Sequence, residues 1–366
     1  MSAEAAAWLW RPRIANIHWR SLIAPKNIRM TLLVAAILTA AAVAIVVYRW
    51  HSFGFKWSLF TATLVDINAA WLWLALILCM ATYLGRALRW RIMILPIKPE
   101  PNLWNILVGT VIGFTAIVLF GRPGELVRPY LIAASEKISF SSQIAAWTLE
   151  RIYDLLVVLL IFGISLSQIS RSRTHFGPVI GEVLRIGGYL IGIVGFICLL
   201  LLFFFNRLSG DFGALSLLPP AWHSRVSGFL HAFSQGMEST RNLGFIIKVL
   251  VYSLLEWAII TASIVCLFRA FPATANFRLM DVFVFLGFVA FGSAIQIPGI
   301  GGGMQLTSIL IFTEFFHFSI EVATSLALVV WVFSFVVIMP FGLVLAFHKG
   351  IRWRNLRESV PESPAL

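Results

Sequence analysis

The stretch G-R-P-G-E-L-V-R-P-Y-L-I-A-A-S-E-K-I-S-F-S-S-Q-I-A-A-W-T-L-E-R-I-Y-D, residues 121 to 154, sets Arg122, Glu125, Arg128, Glu150, Arg151 and Asp154 between long apolar runs. Only 12% of the chain is charged and 60% is hydrophobic, far from the composition of soluble domains. The chain therefore reads as an all-α integral membrane protein. A charge near the middle of a bilayer helix costs roughly 2.5 to 3.5 kcal/mol on insertion scales, so six in one stretch need partners, water or a ligand. The same stretch opens with proline beside glycine, where a helix stops.

Working outward, the apolar runs long enough to cross about 30 Å of hydrocarbon are 28–48, 69–86, 142–168, 186–205, 244–267 and 321–347, six full crossings. Two further runs are broken. Residues 104–132 are interrupted by G-R-P-G at 121–124, and 282–316 by P-G-I-G-G-G at 298–303. Their limbs are marginal for spanning alone, and both read as re-entrant broken-helix hairpins. The order crossing, crossing, hairpin, crossing occurs twice, with repeat 1 over about 28–168 and repeat 2 over about 186–347. Aligning Gly124 with Gly302 also aligns Phe140-Ser141 with Phe318-Ser319. Three crossings per half invert the second copy and bring the hairpins together near the midplane, the plan of many secondary transporters.

A basic, Trp-rich tail over 1–27 precedes this polytopic domain, 28–348, and a basic, then disordered tail over 349–366 follows it. The first tail lacks an apolar core with a cleavage site, so no signal peptide is expected. With the N-terminus inside, Lys and Arg assigned to the cytoplasmic side outnumber those opposite by more than two to one. That bias places both termini in the cytoplasm of a plasma (inner) membrane. The loop 206–242 carries Val226, Phe229, Leu230, Phe233 and Met237 on one helical face, a surface-lying amphipathic helix.

The formal charge of +12 suits topology signals and anionic-lipid contacts better than nucleic acid, for which no module is present. Cys79, Cys198 and Cys266 all lie in apolar runs, and no spacing suits a metal. No Walker loop, nucleophile elbow or H-E-x-x-H occurs. Neither a cofactor nor a catalytic residue is expected.

Two readings of the charged stretch stand. In one, Arg122, Arg128 and Arg151 hold a lipid phosphate, for which the planar guanidinium fork is suited. Glu125, Glu150 and Asp154 then orient those arginines or meet a cationic headgroup. Helix N-termini after Pro123 and Gly124, and after Pro298, Gly299, Gly301, Gly302 and Gly303, add N–H groups for an anion. In the other reading the six charges are a closed ion-pair network fixing the hairpin to the next crossing. Glu256 and Glu314, inside apolar segments, are candidates for carrying a coupling proton.

At these residues the sequence resembles the lysylphosphatidylglycerol synthase transmembrane region family of flippase-like proteins. That family has an R-x-G-E-x-x-R stretch, matched by Arg122, Gly124, Glu125 and Arg128, and then E-R-x-x-D, matched by Glu150, Arg151 and Asp154. The later break is matched by Pro298 and the glycines to Gly303. Members often carry a glutamate shortly after that glycine run, where Gln305 stands here. Better-understood members join this region to a soluble aminoacyl-transferase domain that makes a cationic lipid, which the membrane part moves between leaflets. No such domain follows here, so synthase activity is not expected. The resemblance implies lipid translocation as a class and does not name the lipid; with the arginines, the expected partner is a membrane phospholipid or another phosphate-bearing lipid. The alternatives are a membrane-embedded headgroup transferase, or a scaffold for a separate cytoplasmic synthase; oligomeric state is left open.

Overall fold

In the computed structural model the described residues are 55–171, 188–189, 191–198, 200–201, 243–293, 296–297 and 301–348. The crossing expected over 28–48, both tails and the loop 206–242 lie outside them. Of the crossing expected over 186–205, only the described positions are known, and they are helical.

A short helix α1 (Trp57–Ala62) leads to α2 (Ala69–Ile94), which starts where the Asn68 side chain accepts the Ala70 and Trp71 N–H groups at 3.1 and 3.4 Å. Its 26 residues span about 39 Å, and Pro96 follows its end. Asn102 caps α3 (Leu103–Phe120) in the same way. Gly121, at φ 68°, then turns the chain into a 3-10 segment (Arg122–Leu126) and α4 (Val127–Glu136). A Cβ on Gly109 would meet Ile132, one on Gly113 would meet Arg128, and one on Gly124 would meet the Ala116 carbonyl. Those pairings fix α3 and α4 as an antiparallel hairpin packed backbone to backbone.

After left-handed Lys137 comes α5 (Phe140–Arg171). The second half repeats the order: α6 (Leu243–Ala270), α7 (Leu279–Gly292), a two-residue antiparallel pair β1 (Gln296–Ile297) and β2 (Gly301–Gly302), then α8 (Gly303–Glu314). Left-handed His317 precedes α9 (Ile320–Trp331), a π segment (Val332–Val336) and α10 (Met339–His348).

Among the described residues, Ala69–Ile94, Leu103–Phe120, Gly244–Ala270 and Ile320–His348 are long and apolar enough to cross a membrane. Three sequence expectations change. The helix expected over 69–86 runs on to Ile94, so Arg86 and Arg89, expected in a loop, are helical, and Arg89 is fully buried. The first limb of the first hairpin, Leu103–Phe120, is long enough to span on its own. Gly124 lies inside the 3-10 turn, and α4 begins at Val127.

Helices α2 and α6 lie antiparallel. Asn68 N–H meets the Ala270 carbonyl at 2.9 Å, Ser263 Oγ the Ala75 carbonyl at 2.9 Å, and Arg86 pairs with Glu256 at 3.0 Å. Each half also lends its last long helix to the other's hairpin. Phe162 of α5 packs on Phe288 of α7, and Gly342 of α10 lies against Thr115 of α3. Two of the apolar cores among the described residues flank the site. One gathers Val157 and Ile161 of α5 with Ile264 and Phe268 of α6 and the second hairpin. The other joins Trp90, Met93 and Ile94 of α2, Ala145 and Leu149 of α5, and Val249 of α6.

Candidate functional site

Between those cores, α2, α5 and α6 each present charge. Arg89 is at the centre, with no exposed surface. Its Nη1 donates to Asp154 Oδ1 at 2.5 Å and to Ser253 Oγ at 3.0 Å, and its Nη2 donates to Glu150 Oε1 at 2.6 Å and Asp154 Oδ2 at 3.2 Å. The four-residue step from Glu150 to Asp154 puts both carboxylates on one helical face, where a single guanidinium reaches them. Trp257 Nε1 adds a 3.4 Å bond to Asp154 Oδ1.

Arg128, on α4, comes in from the hairpin. Nη1 donates to both Glu150 oxygens at 3.0 and 2.8 Å, Nε to Thr110 Oγ1 at 3.1 Å, and Nη2 to the Arg86 carbonyl at 3.1 Å. Its guanidinium also lies 4.1 Å from the Trp90 ring centroid. Every nitrogen of Arg128 is thus engaged by protein. Removing one member of such a buried pair leaves an uncompensated charge, a loss of about 3 to 5 kcal/mol. Arg151 is different: its side chain is 40% exposed, with Nη2 3.6 Å from Glu150 and 3.4 Å from Asp154.

Arg86 faces a cavity of about 200 Å³. Its guanidinium sits 4.7 Å from the Phe114 ring centroid and pairs with Glu256 Oε1. Tyr83, Phe114, Trp257, Ser293 and Met304 line the same space, and among the described residues Arg86 is the one Lys, Arg, Asp or Glu on its wall. The wall draws on both halves and on the π segment, through Ser334 and Phe335.

The six charges singled out in the 121–154 stretch do not form one cluster. Arg128, Glu150, Arg151 and Asp154 belong to the inner network, whereas Arg122 and Glu125 pair with each other at the hairpin tip. Arg122 Nη2 donates to the Ser293 carbonyl at 2.9 Å, so the tip of the first hairpin touches the break of the second. Pro123 and Gly124 lie in the 3-10 turn, whose first turn already holds the Glu125 carboxylate. At the second break, Gly302 has φ 129° and its N–H donates to Gln305 Oε1 at 2.7 Å. Gly301 and Gly303 flank it in β2 and α8, and Pro298 and Gly299 lie outside the described residues.

Glu256 joins the network, 3.0 Å from Arg86 and 3.3 Å from Arg89. Glu314 is exposed at the end of α8. Arg86 and Arg89 were missed as site residues because they follow an apolar run and read as loop charges. Trp90, Met93 and Ile94 continue the helical spacing beyond them, and that signal was available.

Among known families, the one described as Lysylphosphatidylglycerol synthase TM region matches residues 18–342. No curated protein and no solved structure matches the chain.

Proposed function

Because the chain belongs to the Lysylphosphatidylglycerol synthase TM region family, a membrane family tied to lipid handling, we propose that it passes a phosphate-bearing lipid between leaflets through the cavity beside the hairpin tips. The observation that carries this reading is Arg86, the one guanidinium on a wall that is, among the described residues, otherwise uncharged and largely apolar. Such a wall accepts the glycerol and upper acyl region of a lipid, and the guanidinium accepts its phosphate. Charge balance agrees. Arg86, Arg89, Arg128 and Arg151 against Glu150, Asp154 and Glu256 leave one positive charge over, which favours an anion in the cavity.

Within this reading Arg151 and Arg122, both partly exposed, are further guanidiniums that a headgroup can meet outside the cavity wall. Arg128 acts through Glu150 as a positioning residue. Glu125, Glu150 and Asp154 hold the arginines in place. The antiparallel α2–α6 pair and the exchanged contacts of α5 with α7 and α10 with α3 support an inverted repeat. We place its six crossings and two re-entrant hairpins in the plasma membrane with both termini cytoplasmic, on the basic-residue bias.

Lipid scrambling tests the proposal. Vesicles containing fluorescently labelled phosphatidylglycerol are reconstituted with wild type or Arg86→Ala, and dithionite quenches the outer leaflet. Wild type is expected to accelerate loss of the inner-leaflet signal at least tenfold over empty vesicles, Arg86→Ala to abolish the gain, and Arg86→Lys to retain part of it. No acceleration with labelled anionic, zwitterionic or lysyl lipids, in protein shown to be folded, would sink translocation and favour the transferase or scaffold alternatives.

A further inference from the structure

Glu256 is the carboxylate that the network holds least well. It is 1% exposed, yet neither of its oxygens accepts an aligned hydrogen bond among the described residues. The reason lies in Arg89. Each terminal nitrogen of a guanidinium carries two hydrogens; Asp154 and Ser253 take those of Nη1, and Glu150 and Asp154 take those of Nη2. The terminal nitrogens of Arg89 therefore offer Glu256 charge at 3.3 Å but no hydrogen, and the Arg89 Nε–H makes no bond to Glu256 either. Arg86 is the other cation within ion-pair distance, and it is the residue that faces the cavity.

We propose that a phosphodiester anion entering the cavity displaces Glu256 from Arg86, and that Glu256 then takes a proton from water, so that one proton accompanies each anion. The proposal rests on the reading of Arg86 as the phosphate contact. A buried carboxylate that loses its cation neutralises rather than remaining charged in an apolar setting. The step balances: a phosphate oxygen replaces Glu256 Oε1 at the Arg86 guanidinium, which keeps its charge. The carboxylate gains one O–H, and the site as a whole gains one anion and one proton. The charged groups around Glu256 are Arg86 and Arg89 from α2 and Glu150 and Asp154 from α5; Ser253 and Trp257 are its polar neighbours on α6. Cys79 and Tyr83 are the other titratable groups on the cavity wall. Glu150 and Asp154 keep their hydrogen bonds from Arg89 when Arg86 is occupied, which singles out Glu256 as the acceptor.

The test is calorimetric titration of the purified full chain in detergent with short-chain phosphatidylglycerol, whose phosphodiester stays monoanionic between pH 6 and 8. Repeating it in buffers of different ionisation heat counts the protons exchanged. Wild type is expected to take up close to one proton per lipid bound, with Kd tightening by as much as about tenfold for each unit the pH falls. Glu256→Gln is expected to bind with no proton uptake and no pH dependence, and Arg86→Ala to weaken binding at least tenfold. Dimethyl phosphate, run in parallel, separates sources: binding of the lipid alone assigns the site to a headgroup, and equal binding of both assigns it to a free phosphodiester.

Lipid binding by wild type without proton uptake overturns the coupling and leaves the phosphate reading intact, and this measurement needs no variant to fold. Uptake that persists in Glu256→Gln overturns the assignment to Glu256. Absence of binding by both probes overturns the phosphate reading and the coupling together.

Discussion

The two helical hairpins share one device and differ in what they carry. Each has two antiparallel limbs, a glycine at positive φ at its turn (Gly121, Gly302), and a left-handed residue after its second limb (Lys137, His317). The first hairpin brings Arg122, Glu125 and Arg128; the second has no Lys, Arg, Asp or Glu between Asp281 and Glu314. A neutral side chain, Gln305, caps the second break. The comparison teaches that chain reversal within an apolar domain needs only glycine and a hydrogen-bonded cap. The charges on the first hairpin are not needed for the reversal itself: Arg122 and Glu125 pair at its tip, and Arg128 ties the second limb to the network on α2, α5 and α6.

The largest test of that contrast is Arg128→Ala. It leaves Glu150 with Arg89 and the half-exposed Arg151, and a loss of about 3 to 5 kcal/mol is expected, read as a lower thermal transition in detergent, with Arg128→Lys intermediate. No single substitution at the tip of the second hairpin should match it. Gly113→Ala comes next. Its Cβ would sit 2.5 Å from the Arg128 Cβ and 3.0 Å from its Cα, so α3 and α4 must part, costing about 1 to 3 kcal/mol and loosening the Arg128 contacts.

The ends of the two hairpins provide a third test. Glu136 is buried and accepts from Lys98 Nζ at 2.6 Å, Asn105 Nδ2 at 2.8 Å and the Asn102 N–H at 3.1 Å. Burial pushes its carboxyl up, but the bonds from Lys98, Asn105 and Asn102 outweigh burial and hold it below the usual carboxylate range. Its contribution is therefore complete above about pH 4.3, the unfolded value, and is lost as pH falls through the lower folded value. Glu136→Ala is expected to cost about 2 kcal/mol at pH 7 and to flatten the acid limb of the stability curve. Glu314→Ala, at the exposed counterpart, is expected to stay within about 0.5 kcal/mol.

Smallest in stability is Gln305→Glu. A carboxylate still accepts the Gly302 N–H and favours the N-terminus of α8, so the change should be under about 1 kcal/mol. Its readout is preference. Competition between labelled phosphatidylglycerol and a lysyl lipid is expected to shift toward the cationic headgroup, and an unchanged ratio would show that the second break does not meet the headgroup.

Much of this was legible in the chain. Proline beside glycine at 121–124 and 298–303 located both breaks, and the four-residue step from Glu150 to Asp154 marked a shared face. Grouping Arg122 and Glu125 with Arg128 misjudged the tip, because the chain passes from the 3-10 turn into α4 between Glu125 and Arg128. Hydropathy misjudged Arg86 and Arg89, because averaging treats a paired internal arginine and a loop arginine alike. The pairing of Glu256 with Arg86, 170 residues apart in the chain, depends on α2 and α6 lying antiparallel, and no local pattern encodes that.

The charged layer is bounded along three helices by apolar packing on both sides. On α5 it lies between Ala145–Leu149 and Val157–Ile161, on α6 between Val249 and Ile264, and on α2 between Ala75 and Trp90–Ile94. Among the described residues the network meets open space chiefly at Arg151, whose side chain is 40% exposed, and at Arg86 on the cavity wall, so an ion or solvent molecule that exchanges with it has a guanidinium as its first contact.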